Sequence, residues 1–305
     1  MRNDIFISRA GALAAAGRLD MEHDSPLSRW CTFRIGGPAK IALWPLDAGA
    51  LTELLSAAAA GGTRYTVCGC GSNILFSDEG FDGAVIFTTR LKDVAVTGNT
   101  VSAGCGAPLT SIAIEARKAG LSGLEFAYGI PGSLGGAVYM NAGAYGGEMK
   151  DVVAESEYYD PESGKTGTLR GGEHRFGYRE SVYMGSGLAI LGAVLSLAPG
   201  DPDEIQRKME ANMTARREKQ PLEYPSAGSA FKRAPGHYTA AMIDEAGLKG
   251  FSVGGAQVSE KHAGFIINRG GATAGDVKKL IETIRTEISR RFGVDIEPEI
   301  RYVGP

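Results

Sequence analysis

Apolar residues recur every three or four positions in several stretches of the chain, and these predict helices. In 47–60, Leu51, Leu54 and Leu55 share one face and Gly61-Gly62 ends the run. Residues 108–119 open on Pro108, whose fixed φ suits a first turn, carry Ile112 and Ile114, and stop at Gly120. Asp201-Pro202 starts a strongly charged helix that reaches about Lys219. Thr273, with Asp276 three residues on, caps a helix striped by Val277, Leu280, Ile281, Ile284, Ile288 and Phe292 and closed by Gly293. Between these lie β-like runs at 65–68, 84–88, 152–159, 188–197, 265–267 and 296–303. Strands and helices do not alternate regularly, so an α+β fold is expected rather than a doubly wound parallel sheet. The charged helix and Gln220-Pro221 mark the best internal boundary, between a glycine-rich first two thirds and a shorter carboxyl-terminal part.

Composition narrows the class. Hydrophobic residues at 43% and charged residues at 22% of 305 are those of a globular chain, which excludes disordered and fibrous readings. The 32 basic and 35 acidic side chains leave a net charge of −3. Basic runs stop at pairs (Arg216-Arg217, Lys278-Lys279, Arg290-Arg291), so no nucleic-acid partner is expected. The longest apolar stretch, 188–198, falls short of the ~18 residues a membrane helix needs, and no membrane partner is expected. Arg2 followed by the alanine-rich 10–16 has the outline of a secretion leader, but Arg9 interrupts it and its core is mostly alanine and glycine. A cytoplasmic protein is expected, with Cys31, Cys68, Cys70 and Cys105 as reduced structural thiols. Cys68 and Cys70 lack a second pair or a histidine at ligand spacing, so no metal is expected.

Glycine is the outlier, with 44 residues in 305, about twice the usual ~7%. Two glycine loops stand out. Gly69-Cys70-Gly71-Ser72-Asn73 directly follows the 65–68 run, and Gly129-Ile130-Pro131-Gly132-Ser133-Leu134-Gly135-Gly136 leads into Met140-Asn141-Ala142-Gly143-Ala144-Tyr145-Gly146. Without a β-carbon the backbone can approach a ligand closely and aim successive amides at one point, which suits a diphosphate. Either loop alone is as readily an ordinary turn; two, each with a serine beside its glycines, point to a nucleotide. Two familiar fingerprints fail. Ile74 stands where the Rossmann motif needs its third glycine. Gly164-Lys165-Thr166 ends like a Walker A loop, but Tyr159 holds the required earlier glycine position and 160–164 reads as a hairpin turn.

Further polar residues sit in apolar or glycine-rich surroundings: Tyr178-Arg179, Ser229, Lys232 and Arg233, Lys261-His262, and Glu297-Pro298-Glu299. Taken singly, each has a plain account. Arg179 suits a surface ion pair, Ser229 a turn, His262 a satisfied loop histidine and Glu299 a solvated strand. Spacing alone does not bring them together. The cations Arg216, Lys219, Lys232, Arg233 and Lys261 are candidates for binding phosphates.

Thr32-Phe33-Arg34-Ile35-Gly36-Gly37, the loops 69–73 and 129–136, the segment 140–146, Tyr178-Arg179, Gly228-Ser229 with Phe231-Lys232, and Glu297-Pro298-Glu299-Ile300-Arg301 occur in a telling order. From about residue 20 onward the chain resembles the UDP-N-acetylenolpyruvoylglucosamine reductases, flavoenzymes of peptidoglycan-precursor synthesis. The short connection between Leu197 and Asp201 is similar to the family's shorter class, which lacks an extra tyrosine-bearing loop over the substrate. Cys31, Tyr128 and Ala263 depart from the commoner asparagine, alanine and asparagine.

The resemblance implies a FAD-binding part of the vanillyl-alcohol-oxidase (PCMH) type over 1–200, in subdomains of about 20–90 and 91–200, and a carboxyl-terminal α+β substrate-binding domain over 201–305. It implies FAD held tightly but non-covalently by Gly69, Cys70, Gly71, Ser72, Asn73, Gly129, Ile130, Pro131, Gly132, Ser133, Gly135 and Gly136, with NADPH as hydride donor. The substrate would be UDP-N-acetylglucosamine-enolpyruvate, with Tyr178 and His262 near it and the five cations at the diphosphate or the NADPH phosphate. The resemblance also assigns the catalytic roles: Ser229 protonates the enolate carbon, and Arg179 and Glu299 attend the substrate carboxylate. A carbanion is basic enough to take a serine proton, a fixed guanidinium suits developing negative charge, and a carboxyl beside a carboxylate is expected to act protonated. A monomer is expected. Two other readings stay open at this point: a sugar or alcohol oxidase of the same fold, which needs no Ser229 acid, and a nucleotide-sugar binding protein without flavin.

Overall fold

The computed structural model describes residues 2–305, with side chains from residue 5 onward; Met1 and the Arg2 side chain lie outside the described residues. The helices are α1 (Arg2–Ala15), α2 (Ala48–Gly61), α3 (Leu109–Lys118), α4 (Leu134–Met140), α5 (Pro202–Lys219), α6 (Thr239–Glu245) and α7 (Ala274–Phe292). The four helices expected from periodicity form where their caps say. Asp47 accepts the Ala50 amide at 2.8 Å to start α2, and Gly62 ends it in the left-handed region at φ +60°. Thr273 and Asp276 cap α7 reciprocally, and Gly293 closes it at φ +65°. Pro108 sits at the N-cap of α3 rather than inside its first turn.

Three helices were not expected. The alanine-rich stretch after Arg2 is the body of α1, whose Phe6, Ala10 and Leu13 are buried at i, i+4 and i+7 among the α2 leucines. The second glycine loop ends in α4, so Gly135 and Gly136 are helical residues. The seven-residue α6 is too short to show a period.

The expected strands appear at Tyr65–Cys68, Phe81–Phe87, Val153–Asp160, Ala189–Ser196 and Phe265–Asn268. The 296–303 run is a correction, since only Arg301–Val303 is strand. Pro298 has no amide to donate, and the Glu299 amide turns instead to Ala230 O at 2.8 Å. The 160–164 turn is a hairpin in which Asp160 accepts from the Glu162 amide at 2.9 Å and from Ser163 Oγ at 2.6 Å.

The chain divides into two compact units that are interleaved in sequence. The first comprises residues up to 23, 41–70 and 83–214; the second comprises 24–40, 71–82 and 215–305. The first holds a five-stranded antiparallel sheet ordered Lys165–Arg170, Val153–Asp160, Ala189–Ser196, Thr100–Gly104, Val94–Thr97. Its core continues from that sheet through α3 and α4 to α1 and α2. In the first unit Tyr65–Cys68 also pairs in parallel with 84–87. The second unit holds a four-stranded sheet ordered Ser226–Ser229, Phe265–Asn268, Ala256–Val258, Ser252–Val253, backed by α7. A separate parallel pair joins Ile74–Phe76 to Arg301–Val303.

Candidate active site

In the first unit Gly69, which opens the first glycine loop, meets the second loop. A β-carbon on Gly69 would lie 2.1 Å from Ser133 Oγ, so only glycine allows this approach. A β-carbon on Gly135 would lie 2.9 Å from that of Cys105. The amides of Gly132, Leu134 and Gly135 already bond Ile130, Ala107 and Cys105 carbonyls at 2.8–2.9 Å, so this run does not aim all its amides outward. Its glycines serve close approach instead. Ser133 is 2% exposed and, among the described residues, its hydroxyl has no polar oxygen or nitrogen partner and only the Cys70 thiol nearby. A buried hydroxyl left with no more than a thiol is poorly satisfied, and a bound polar group relieves it. The cradle thus suits a cofactor with polar edges. Burial raises the Cys70 thiol pKa, with Ser133 close by lowering it in part. It pushes the Cys105 thiol up to about 12. All four cysteines are free.

Also in the first unit, Tyr178 and Arg179 form the tip of a tight turn closed by Gly177 and Glu180, whose amides and carbonyls exchange bonds of 3.1 and 3.2 Å. Arg179 adopts a left-handed φ of +55°. Its guanidinium lies 5.0 Å from the Tyr178 ring centroid, and Nη2 donates to Gly143 O at 3.1 Å. Ser181 Oγ donates to Tyr139 O at 2.7 Å and anchors the far side.

In the second unit, Ser229 and Glu299 are brought together through their backbones. Gly228, at φ +76°, breaks the register of Ser226–Ser229 and leaves Ser229 exposed at the strand end beside Phe265. The next residue, Ala230, donates to Gly264 O at 2.7 Å and accepts from the Glu299 amide at 2.8 Å. Asn73, the last residue of the first glycine loop, donates to Glu299 O at 3.1 Å and accepts from the Arg301 amide at 3.0 Å. Gly71, at φ +61°, packs where a β-carbon would lie 2.6 Å from Trp30 O and 2.9 Å from the Cys31 Cα. Ser72 follows it, half-buried.

His262 is half-buried and its Nδ1 accepts the Gly264 amide at 3.1 Å, while its ring meets Phe265 edge-on at 5.0 Å. Burial lowers its pKa below the ordinary value, helped by Lys249. The cations are dispersed. Arg216 is buried and donates to Gln220 at 2.9 Å; Lys219 is exposed at the end of α5. Lys232 pairs with Glu297 at 3.1 Å, Arg233 donates to Tyr238 at 3.0 Å, and Lys261 donates to Arg217 O at 2.7 Å. Among the described residues no group of three or more His, Cys, Asp or Glu side chains is placed to hold a metal ion.

Asn141 lies within the 140–146 segment, where the sequence gives it no role. It is fully buried, closes α4 at a left-handed φ of +41°, and donates to Gly177 O. An asparagine just past a short apolar run is the one signal that could have marked it. Asp78 was missed as well, although it accepts the first amides of α7, Ala274 at 2.7 Å and Gly275 at 3.0 Å.

Comparison with known proteins gives these arrangements a family. The model described as UDP-N-acetylenolpyruvoylglucosamine reductase, C-terminal domain, matches residues 220–303, and that of a FAD binding domain matches 39–176. A UDP-N-acetylenolpyruvoylglucosamine reductase of Caldicellulosiruptor bescii is 47% identical over 283 residues, covering 92% of this chain and 90% of that protein. One from Caldanaerobacter subterraneus subsp. tengcongensis is 44% identical over 301 residues, 99% of each. The crystal structure of the Thermus caldophilus reductase superposes with a TM-score of 0.79 at 35% identity, over 93% of this chain and 98% of that one. A glucose oxidase variant of Phl p 4 matches at a TM-score of 0.50 and 15% identity, over 65% of this chain and 44% of that one, a likeness of fold alone. At this identity and coverage, the chain belongs to the UDP-N-acetylenolpyruvoylglucosamine reductase family.

Proposed function

We propose that this protein is an NADPH-dependent flavoenzyme that reduces the enolpyruvyl ether of UDP-N-acetylglucosamine-enolpyruvate to UDP-N-acetylmuramate. One observation carries the reading. The segments of Ser229, Glu299 and Asn73 are tied by the Glu299 backbone amide on Ala230 O and the Asn73 side-chain amide on Glu299 O, at the end of the first glycine loop. Gly69, Cys70, Gly71, Ser72, Asn73 and the 129–136 run are the residues proposed to hold FAD. Bound there, FAD would supply the redox chemistry that links NADPH to reduction of the enolpyruvyl double bond.

The chain's own residues then manage charge and proton. Arg179 binds the substrate carboxylate and stabilises the negative charge that spreads onto it, an effect of roughly 3 kcal/mol in a dry site. Ser229 Oγ delivers its proton to the adjacent carbon, and a placed general acid is worth about 10²–10⁴-fold. Glu299 acts as the neutral acid, since an ionised carboxyl beside the substrate carboxylate would repel it. Tyr178 and His262 border the substrate, and Arg216, Lys219, Lys232, Arg233 and Lys261 face phosphates. Residues 201–305 act as the substrate-binding part. The four free thiols suit the reducing cytoplasm, where the protein acts as a monomer.

Stopped-flow absorbance tests the assignment on the holoenzyme. Ser229→Ala should leave bleaching of the yellow protein by NADPH nearly intact and slow recolouring by the enolpyruvyl sugar by at least about 10²-fold. Glu299→Gln, which stays neutral, should retain much more of that second step than Glu299→Ala. Equal damage to both half-reactions by Ser229→Ala removes the proton-donor role, and recolouring by air alone in the unaltered protein favours an oxidase.

A further inference from the structure

Arg179 is held at two ends by different segments. At its root, the turn closed by Gly177 and Glu180 presents it at φ +55°. At its head, Gly143 O accepts from the guanidinium at 3.1 Å, and Gly143 is the strand partner of Glu148. The Asn141 side chain touches both supports. Its Nδ2 donates to Gly177 O at 2.9 Å and to Glu148 Oε2 at 2.8 Å, and its Oδ1 accepts the Lys150 amide at 2.8 Å. Lys150 Nζ in turn pairs with Glu148 Oε1. One buried planar amide therefore spends both donors and its acceptor on linking the base of the Arg179 turn to the strand pair on which the guanidinium rests. An aspartate of the same outline would turn an oxygen toward the Glu148 carboxylate and the Gly177 carbonyl. The bond from Ser181 to Tyr139 O is a second tether of the turn, to the end of α4.

We propose that Asn141 is a positioning residue that sets where the Arg179 guanidinium stands. The inference rests on the carboxylate-binding role given to Arg179 above. Asn141→Gly deletes the amide and accepts φ +41° without strain; Asn141→Asp keeps the shape and reverses the polarity, and serves if the glycine variant does not fold. Calorimetry on the full-length FAD-loaded protein reads the effect. UDP-N-acetylmuramate, which bears a carboxylate, should bind about 10-fold or more weakly to either variant, while UDP-N-acetylglucosamine, which lacks it, should bind as to the unaltered protein. The substrate half-reaction should slow by roughly 10²-fold with the NADPH half-reaction unchanged. In an Arg179→Lys background the same replacement should add little further loss. Equal weakening for the two sugars, or a full additional loss in that background, overturns the inference. An unaltered protein that binds both sugars alike removes the reading of Arg179 itself, and this inference with it.

Discussion

A serine hydroxyl is a weak acid, so its value depends on where the backbone holds it. Here a left-handed Gly228 breaks the strand register one residue before Ser229, and Ala230 is bonded on both sides by Gly264 and Glu299. The hydroxyl is thus presented by a segment tied on both sides. His262 shows the opposite economy, a titratable ring kept from protonating. Its folded pKa lies below the ordinary ~6.5 because burial disfavours the charged ring. As pH falls below about 6.5, the unfolded chain binds a proton that the folded one resists, so stability is complete above that value and declines as pH drops through the folded pKa. His262→Asn, which keeps an acceptor for the Gly264 amide, should flatten this decline, as urea midpoints measured above and below about pH 6.5 would reveal. A decline as steep as in the unaltered protein would discard the assignment. Of the site residues, Arg179, Ser229 and Glu299 were legible only as members of recognisable motifs. Their residue types alone fit a turn or a solvated strand equally well, because what distinguishes them is bonding to segments far away in sequence.

At the level of elements, helices with local caps were legible and those without were not. The Thr273–Asp276 box and the apolar stripe announced α7, yet half of its amino-terminal satisfaction comes from Asp78, 196 residues from Ala274. No local rule reveals such a cap. Asp78→Ala removes the acceptor of two helix amides and should cost about 1 kcal/mol, read as a lower urea midpoint with an unchanged slope. An unchanged midpoint would mean that the Thr273 box alone suffices. The short α4 escaped notice because its sequence, opening on Leu134-Gly135-Gly136, looks like loop. The 296–303 run was misread as one strand because alternation survives an irregular segment whose amides bond sideways.

For the molecule as a whole, the α+β class was legible from the order of elements, whereas the interleaving of the two units was not, since composition changes little across the crossings. It limits what can be cut apart. A fragment of residues 201–305 lacks Ile74–Phe76, the strand partner of Arg301–Val303, and the Asp78 cap of α7. It also lacks Phe33, whose carbonyl accepts from the buried Asn268 at 3.2 Å. That fragment should stay largely unfolded by circular dichroism, and a cooperative unfolding transition from it would show these ties to be dispensable. The bonds that complete the second unit span 194, 196, 226 and 235 residues of chain. Closing such wide loops costs entropy that grows only as the logarithm of their length, so the arrangement burdens speed more than final stability. From a denatured chain, the unit that carries Ser229 is therefore expected to condense late, and flavin capacity and turnover need not return at the same rate.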